Sequence, residues 1–282
     1  MFPKSIADMS PRARLVYKIS IPIVLCLWLL PLIGIAMTSL RPASDLAAGN
    51  YFGAPSYVAF ENYVAVFTGS PMAQYLLNSL LITVPTVIGA LVLSSMAGFA
   101  LAVYKFKLNI LLFVMFVAGN FVPFQILMVP VRQWTLQTGL YDSIGGLILF
   151  HIAFQTGFCT LFMRNFIKAL PTALIESARV EGVSEWRIFI FIIVPLVRPA
   201  IAALAVLVFT FVWNDYFWAT VLVQSNHVMP VTAGLYALKG QWVAAWQLVA
   251  AGSIVAAIPP ALMFILMQKH FVAGLTLGAT KG

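Results

Sequence analysis

The chain has 282 residues, of which 62% are hydrophobic and only 9% are charged, whereas roughly a quarter of the residues in soluble domains are charged. Sixteen basic and eight acidic side chains are too few to cover a soluble surface of this size, so the composition excludes a soluble globular protein. The net charge of +8 does not indicate nucleic-acid binding, because the basic residues lie between apolar runs rather than in one patch. We therefore expect no nucleic acid and predict an all-α polytopic membrane protein in a lipid bilayer.

The distance between charged residues measures the membrane spans, because a helix needs about 20 apolar residues to cross about 30 Å of hydrocarbon. The charge-free runs lie between Lys18 and Arg41, Glu61 and Lys105, Lys107 and Arg132, Asp142 and Arg164, Arg198 and Asp215, and Lys239 and Lys269. They predict six transmembrane helices. The first run is longer than the apolar part of a usual signal peptide, so we expect a retained helix.

The fifth run is short, since only sixteen residues separate Arg198 from Asp215. This helix must either begin before Arg198 or continue past Asp215 to Val223. We prefer the second interpretation.

The distribution of Lys and Arg tests the topology, because short cytoplasmic loops collect positive charge. With the N-terminus inside, thirteen of the sixteen basic residues lie on the cytoplasmic side, and only Arg41, Arg132 and Lys239 lie outside. We expect a multi-pass protein of the bacterial inner membrane with both termini in the cytoplasm.

The chain divides into three parts on this reading. Residues 1–71 form an N-terminal tail, the first helix and an outer loop, residues 72–268 form the core with a cytoplasmic loop at 164–198, and residues 269–282 form a cytoplasmic tail. The three histidines and two cysteines have no metal-ligand spacing, so no metal site is expected. No Gly-Lys dipeptide occurs, which excludes an ATP-binding P-loop in this chain.

The cytoplasmic loop contains a predicted helix over residues 171–182, with Pro171 in its first turn and Gly182 ending it. Its apolar side would consist of Leu174, Ile175, Ala178 and Val180. Such a helix could insert into a groove of a partner, or it could be a solvated connection between two spans.

The same loop carries a recognisable motif. The run Glu176-Ser177-Ala178, followed by Gly182 and by Ile192-Ile193-Val194-Pro195, resembles the E-A-A…G…I-x-L-P loop of permease subunits of binding-protein-dependent ABC importers. Ser177 and Val194 depart from the pattern, both by small or apolar exchanges. Further segments resemble the carbohydrate-uptake branch, typified by the second permease of the maltose transporter: Glu61-Asn62-Tyr63, Leu77-Asn78-Ser79-Leu80, Trp213-Asn214-Asp215 and the C-terminal segment from Phe271.

The resemblance implies an ABC type I importer permease fold. It implies a second permease subunit, two ATP-binding subunits and a periplasmic solute-binding protein as partners, with a carbohydrate or a related polyol or glycoside as substrate. ATP and Mg would be bound by the partner ATPase, so this chain would hold no cofactor and would not be an enzyme. The residues that would couple it to the ATPase are Glu176, Ser177, Ala178, Arg179, Glu181, Gly182 and Pro195.

The membrane part contains candidates for the substrate pathway. Asp215 is the one acid that we place at a span boundary, and ionisable groups there are functional candidates by default. The candidates around it and in other spans are Trp213, Asn214, Tyr216, Trp218, Asn78, Asn120 and Gln125. Sugars stack on aromatic rings and bond to amides, but interfacial aromatic belts and hydrogen bonds between helices would use the same residues.

One alternative function is an ion-coupled secondary transporter of a small polar solute. Such carriers often have matching halves and buried acidic coupling sites, and here no second acid accompanies Asp215 within a span. A membrane enzyme would need clustered acid, base or nucleophile residues, whereas the eight acids are scattered.

Overall fold

The computed structural model describes residues 10–237 and 245–279, and every regular element in these ranges is helical. The helices are α1 Pro11–Ser39, α2 Ala43–Ala47, α3 Glu61–Thr68, α4 Met72–Val103, α5 Asn109–Gly119, α6 Met128–Thr138, α7 Ile144–Lys168, α8 Ala173–Val180, α9 Glu185–Arg187, α10 Val194–Leu196, α11 Arg198–Trp213, α12 Phe217–Leu222, α13 Val231–Ala237 and α14 Trp246–Ala279. A 3₁₀ turn at Phe124–Leu127 precedes α6, and a π-helical segment at Ile188–Ile193 joins α9 to α10.

Four helices in the described ranges are long and apolar enough to cross a membrane, namely α1, α4, α7 and Trp246–Gln268 of α14. Two bent helix pairs satisfy the same criteria, with an angle of 91° between Asn109–Gly119 and Phe124–Thr138 and of 74° between Glu185–Leu196 and Arg198–Trp213. If each pair forms one span, the total is the predicted six.

The preferred interpretation of the fifth run is wrong. Helix α11 ends at Trp213 instead of continuing to Val223, and α12 begins separately at Phe217. The break lies at the polar pair Asn214 and Asp215, whose side chains bond to the backbone of the helices on either side. The last helix, α14, continues to Ala279 and therefore includes most of the residues predicted as a C-terminal tail. Residues 280–282 lie outside the described residues.

The chain forms two units, residues 1–70 with 238–255 and residues 71–237 with 256–282. In the second unit, α4 packs against α7 and α11. The α4 face that lies in this core carries small and polar residues, among them Ser79, Thr83, Ala90 and Gly98. A Cβ atom at Gly98 would lie 2.8 Å from Cβ of Met163, so glycine allows α4 and α7 to approach closely.

In the first unit, the loop after α1 is organised around Arg41, whose side chain is fully buried. Its guanidinium donates to the carbonyl oxygen of Asn50 at 2.7 Å and to that of Gly53 at 2.6 Å. Asn62 donates from Nδ2 to the carbonyl oxygens of Ser39 and Arg41, both at 2.9 Å. These side chains satisfy backbone groups that the loop itself leaves unpaired.

Replacing Arg41 should therefore open this loop. We expect Arg41→Met to destabilise it locally by about 3 kcal/mol, because two hydrogen bonds from a charged donor are lost. Limited proteolysis within residues 42–60 measures the change, and Arg12→Met on the exposed start of α1 is the control. Equal cleavage rates for the two variants would contradict this account of the loop.

Candidate functional site

The motif-bearing helix of the loop at residues 164–198 is α8, which begins at Ala173 and is two residues shorter at each end than predicted. The predicted role of Gly182 in ending it is confirmed, since this residue has φ +76°. Val183 donates its amide to the Ala178 carbonyl and Gly182 to the Arg179 carbonyl, both at 3.0 Å. This pair of bonds is a Schellman motif, which requires the left-handed conformation that glycine adopts without strain.

The faces of α8 differ from the prediction. Ile175 and Ala178 are buried, but Leu174 is 42% exposed and Val180 is 89% exposed. Val180 lies two residues after Ala178, which is about 200° around a helix, so the two side chains cannot share a face. The outer surface of the helix thus combines apolar side chains with the exposed Glu176 and Ser177.

Side-chain hydrogen bonds also connect α8 to α9 and to the end of α4. Arg179 donates from Nε to Oε1 of Glu185 at 2.6 Å and from Nη2 to Oε2 at 3.1 Å, and the Tyr104 hydroxyl donates to Oε2 at 2.7 Å. We call these three residues the clamp. The hydrogen bonds from Arg179 and then Tyr104 lower the pKa of Glu185, while burial, followed by the bond to Glu185, raises the pKa of Tyr104.

Aromatic side chains from α4 and from the segment after α8 pack beside the clamp. Phe99 in α4 lies 5.7 Å from the Tyr104 ring and 5.3 Å from the Phe189 ring, measured between centroids, and Phe189 lies 5.7 Å from Trp186. The loop that carries the motif is thereby packed against the end of α4. Of the other coupling candidates, Glu181 is the exposed C-cap of α8, and Pro195 is exposed in α10.

The sequence singled out Arg179 but missed Glu185 and Tyr104. Glu185 is only six residues from Arg179 and could have been considered as a partner across the Gly182 turn. Tyr104 lies 81 residues from Glu185, and nothing in the local sequence indicates that the two meet.

A cavity of about 820 Å³ lies beside the break between α11 and α12. Four predicted pathway residues line it together with His151 and Gln155, and all belong to the second unit. The four are Asn214, Asp215, Tyr216 and Trp218. The remaining lining is mainly aromatic and aliphatic, as in sites that bind small molecules through a few polar groups.

Asp215 organises the polar part of this cavity. Its carboxylate accepts the amides of Trp218 at 3.2 Å and Ala219 at 3.0 Å, which caps the first turn of α12. Oδ2 also lies 3.5 Å from Nε2 of His151. Thr232 donates its hydroxyl to the Asp215 carbonyl at 2.5 Å. The residue thus joins α12, α7 and α13.

The other pathway candidates lie elsewhere. Asn78 is fully buried and donates to the carbonyl oxygens of His227 and Met229 at 2.9 and 3.0 Å, which holds the loop before α13. Trp213 is buried and donates from Nε1 to the Ala256 carbonyl at 3.0 Å. Asn120 lines a different cavity and donates to the Phe116 carbonyl, and Gln125 is exposed outside this lining.

Across the described ranges, no cluster of three or more His, Cys, Asp or Glu residues is placed to hold a metal ion.

Comparison with known proteins gives consistent matches along the chain. Residues 90–276 match the family described as "Binding-protein-dependent transport system inner membrane component". The osmoprotective compounds uptake permease protein GgtD of Synechocystis sp. is 36% identical over 95% of this chain and 92% of its own length. The arabinooligosaccharides transport system permease protein AraQ of Bacillus subtilis is 32% identical over 91% of this chain and 92% of its own length.

A solved structure shares the fold. A chain of a bacterial ABC transporter that imports the acidic polysaccharide alginate superimposes with a TM-score of 0.79 at 21% identity, over 94% of this chain and 99% of that chain. The predicted fold of an ABC importer permease is confirmed.

The clamp should persist over the physiological pH range and open only in acid. Because the pKa of Glu185 is lowered in the folded protein, its stabilisation is present above the unfolded pKa and is lost as the pH falls through the lowered value. Hydrogen exchange of residues 173–187, corrected for intrinsic rates, measures this loss. Glu185→Gln should be poorly protected at every pH, and a variant protected like the wild type would contradict the role of the clamp.

Proposed function

The chain belongs to the family of inner membrane components of binding-protein-dependent transport systems, and from this premise we propose how it couples and what it carries. It is a permease subunit of an ATP-driven ABC importer and spans the membrane several times. We propose that α8 docks into ATPase subunits on the cytoplasmic side and that the cavity beside Asp215 receives a carbohydrate or a related polyol or glycoside. The exposed motif helix closed by Gly182 is the observation that carries the proposal.

The outer face of α8 fits a protein groove better than water. Val180 lies one turn after Glu176 and places apolar surface next to its carboxylate, on a helix that ends in a fixed turn. A short helix with mixed apolar and charged groups on its free surface suits helix-in-groove recognition. Glu176 then supplies the charge that fixes the orientation of the helix in the groove.

The clamp gives this docking a mechanical consequence. Arg179 lies on α8, Glu185 on α9 and Tyr104 at the end of α4, so a displacement of α8 by the ATPase is transmitted to a transmembrane helix. Packed helices joined in this way move as rigid bodies rather than deforming gradually. ATP and Mg belong to the partner subunits in this scheme, because this sequence has no P-loop lysine.

The complex would contain a second permease, two ATP-binding subunits and a periplasmic solute-binding protein. The positive charge on the coupling-loop side supports an orientation with both termini in the cytoplasm. The outer loop around Arg41 would then face the solute-binding protein.

The cavity chemistry supports a hydroxylated solute. Tyr216 is 43% exposed, and Asn214 and Asp215 form the adjacent break between α11 and α12. Aromatic faces beside amide and carboxylate groups bind the apolar and hydroxyl surfaces of sugars together. The names of two relatives, which refer to arabinooligosaccharides and to osmoprotective compounds, favour this class of solute.

An ion-coupled carrier has less support. Asp215 is the one acid among the described residues that line the cavity, and its two oxygens are already engaged by two backbone amides. The family membership also favours ATP as the source of energy.

The turn at Gly182 provides a test of coupling. Gly182→Val should lower solute transport by about tenfold or more, because a β-branched residue disfavours the left-handed conformation by roughly 1–2 kcal/mol and disturbs the end of α8. Basal ATP hydrolysis by the assembled complex should remain. Transport into proteoliposomes and phosphate release, measured on the same preparation, separate the two effects.

Gly182→Asn is the matched control, because asparagine tolerates a positive φ and a Cβ atom at this position meets nothing within 4 Å. It should retain most transport. Normal transport by the valine variant would contradict the proposal that movement of α8 is transmitted to the membrane helices.

The cavity residues provide a separate test. Tyr216→Ala should lower transport severalfold through loss of the exposed ring, whereas Gln125→Ala, outside the lining, should leave it unchanged. Uptake rates at several solute concentrations measure both variants. Equal effects would indicate that solute does not bind in this chain.

A further inference from the structure

Another cavity, of about 570 Å³, lies beside the clamp that connects Tyr104 to the coupling loop, which comprises residues 164–198. It is formed where α4 ends, α5 begins and α7 ends, and Tyr104 of the clamp belongs to its lining. Four basic residues from these segments line it: Lys105, Lys107, Arg164 and Lys168. The transport mechanism proposed above does not use them.

The positive charge in this basic cavity is not neutralised within the described part of the chain. None of its lining residues is acidic, and the side chains of Lys105, Lys107 and Lys168 form no ion pair or hydrogen bond with the described residues. Glu185, which accepts from Tyr104, is already paired with Arg179. Four cations, two from the loop between α4 and α5 and two from the end of α7, attract an anion with several acceptor oxygens to one concave site.

Arg164 is held in place for such a ligand. It is half-buried, its Nε donates to the Leu101 carbonyl at 3.4 Å, and its guanidinium carbon lies 3.9 Å from the centroid of the Phe113 ring. These contacts orient the planar group without neutralising its charge. The lysines on the loop after α4 are exposed and can close around the same ligand.

The cavity continues into apolar surface. Phe106 and Ile110 belong to its lining, and Ile110 is 72% exposed. Leu111 and Val114 extend the exposed surface along α5, the first half of a bent pair with the composition of a membrane span. A small soluble anion would leave this apolar strip uncovered, whereas a lipid would cover it with its acyl chains.

We propose that this basic cavity binds the phosphate headgroup of an anionic phospholipid in the cytoplasmic leaflet, with the acyl chains lying along α5. Basic pockets between transmembrane helices on the cytoplasmic side recognise such headgroups. The proposal rests on the cytoplasmic position of the coupling loop in the proposed function, because the clamp ties that loop to the rim of the cavity.

Native mass spectrometry of the full-length chain, purified in detergent with its complex partners, tests this directly. Phosphatidylglycerol should be retained in preference to phosphatidylcholine. Lys105→Gln with Lys107→Gln should weaken phosphatidylglycerol binding by at least about tenfold, since each basic residue near an anionic membrane surface contributes a factor of roughly five. Arg187→Gln with Arg198→Gln removes the same charge at residues outside the cavity lining and should have little effect. Lys168→Gln provides an independent single variant. Its thermal midpoint, measured without lipid, tests whether the protein is still folded.

Three outcomes would overturn the proposal. The first is retention of phosphatidylglycerol by the lysine variants at the wild-type affinity. The second is an equal loss in the arginine pair, which would indicate attraction by net charge alone. The third is displacement of the lipid by inorganic phosphate or glycerol 3-phosphate at matching concentrations, which would identify a soluble phosphate ligand. Co-purification of the ATPase in these samples reports on the proposed function, so failure of one inference is distinguishable from failure of the other.

Discussion

A backbone amide or carbonyl in an apolar medium must find a partner inside the protein, and two of the helix breaks among the described residues meet that requirement with polar side chains. Asp215 accepts two amides at the start of α12, while Asn214 returns its amide to the Thr210 carbonyl at 2.9 Å. At the end of α5, Asn120 likewise donates its side-chain amide to the Phe116 carbonyl. These polar side chains thus form hydrogen bonds with the backbone, and only their remaining surface is free to contact a solute.

This requirement explains which parts of the membrane fold could be predicted. Charge spacing found the runs that form α1, α4, α7 and the long last helix, because desolvating a charge is costly wherever it lies along a helix. It did not detect the end of α11 at Trp213, because a break depends on the local partners of neutral backbone groups. Asp215 was identified by its charge, but its capping role depends on a helix boundary that the spacing did not reveal.

In the coupling loop, too, features set by neighbouring residues could be predicted, whereas contacts between distant segments could not. Gly182 could be placed at the end of α8 because the left-handed turn is decided by one residue and its immediate neighbours. Tyr104 could not be paired with Glu185, since their contact depends on how α4 packs against the loop. Likewise, the burial of Asn78 follows from a loop about 150 residues away, and composition alone made it resemble a pathway residue.

The exposed side of the coupling segment also affects the life of the subunit before assembly. Val180, Leu174 and Trp186 present apolar surface in the isolated chain. In the proposed function the ATPase covers them, and before assembly such side chains would be recognisable to chaperones and proteases that survey unassembled subunits. Production of this chain in excess of its partners would therefore lead to its removal rather than to a store of idle permease, and the steady amount of transporter in the membrane would follow the scarcer subunit.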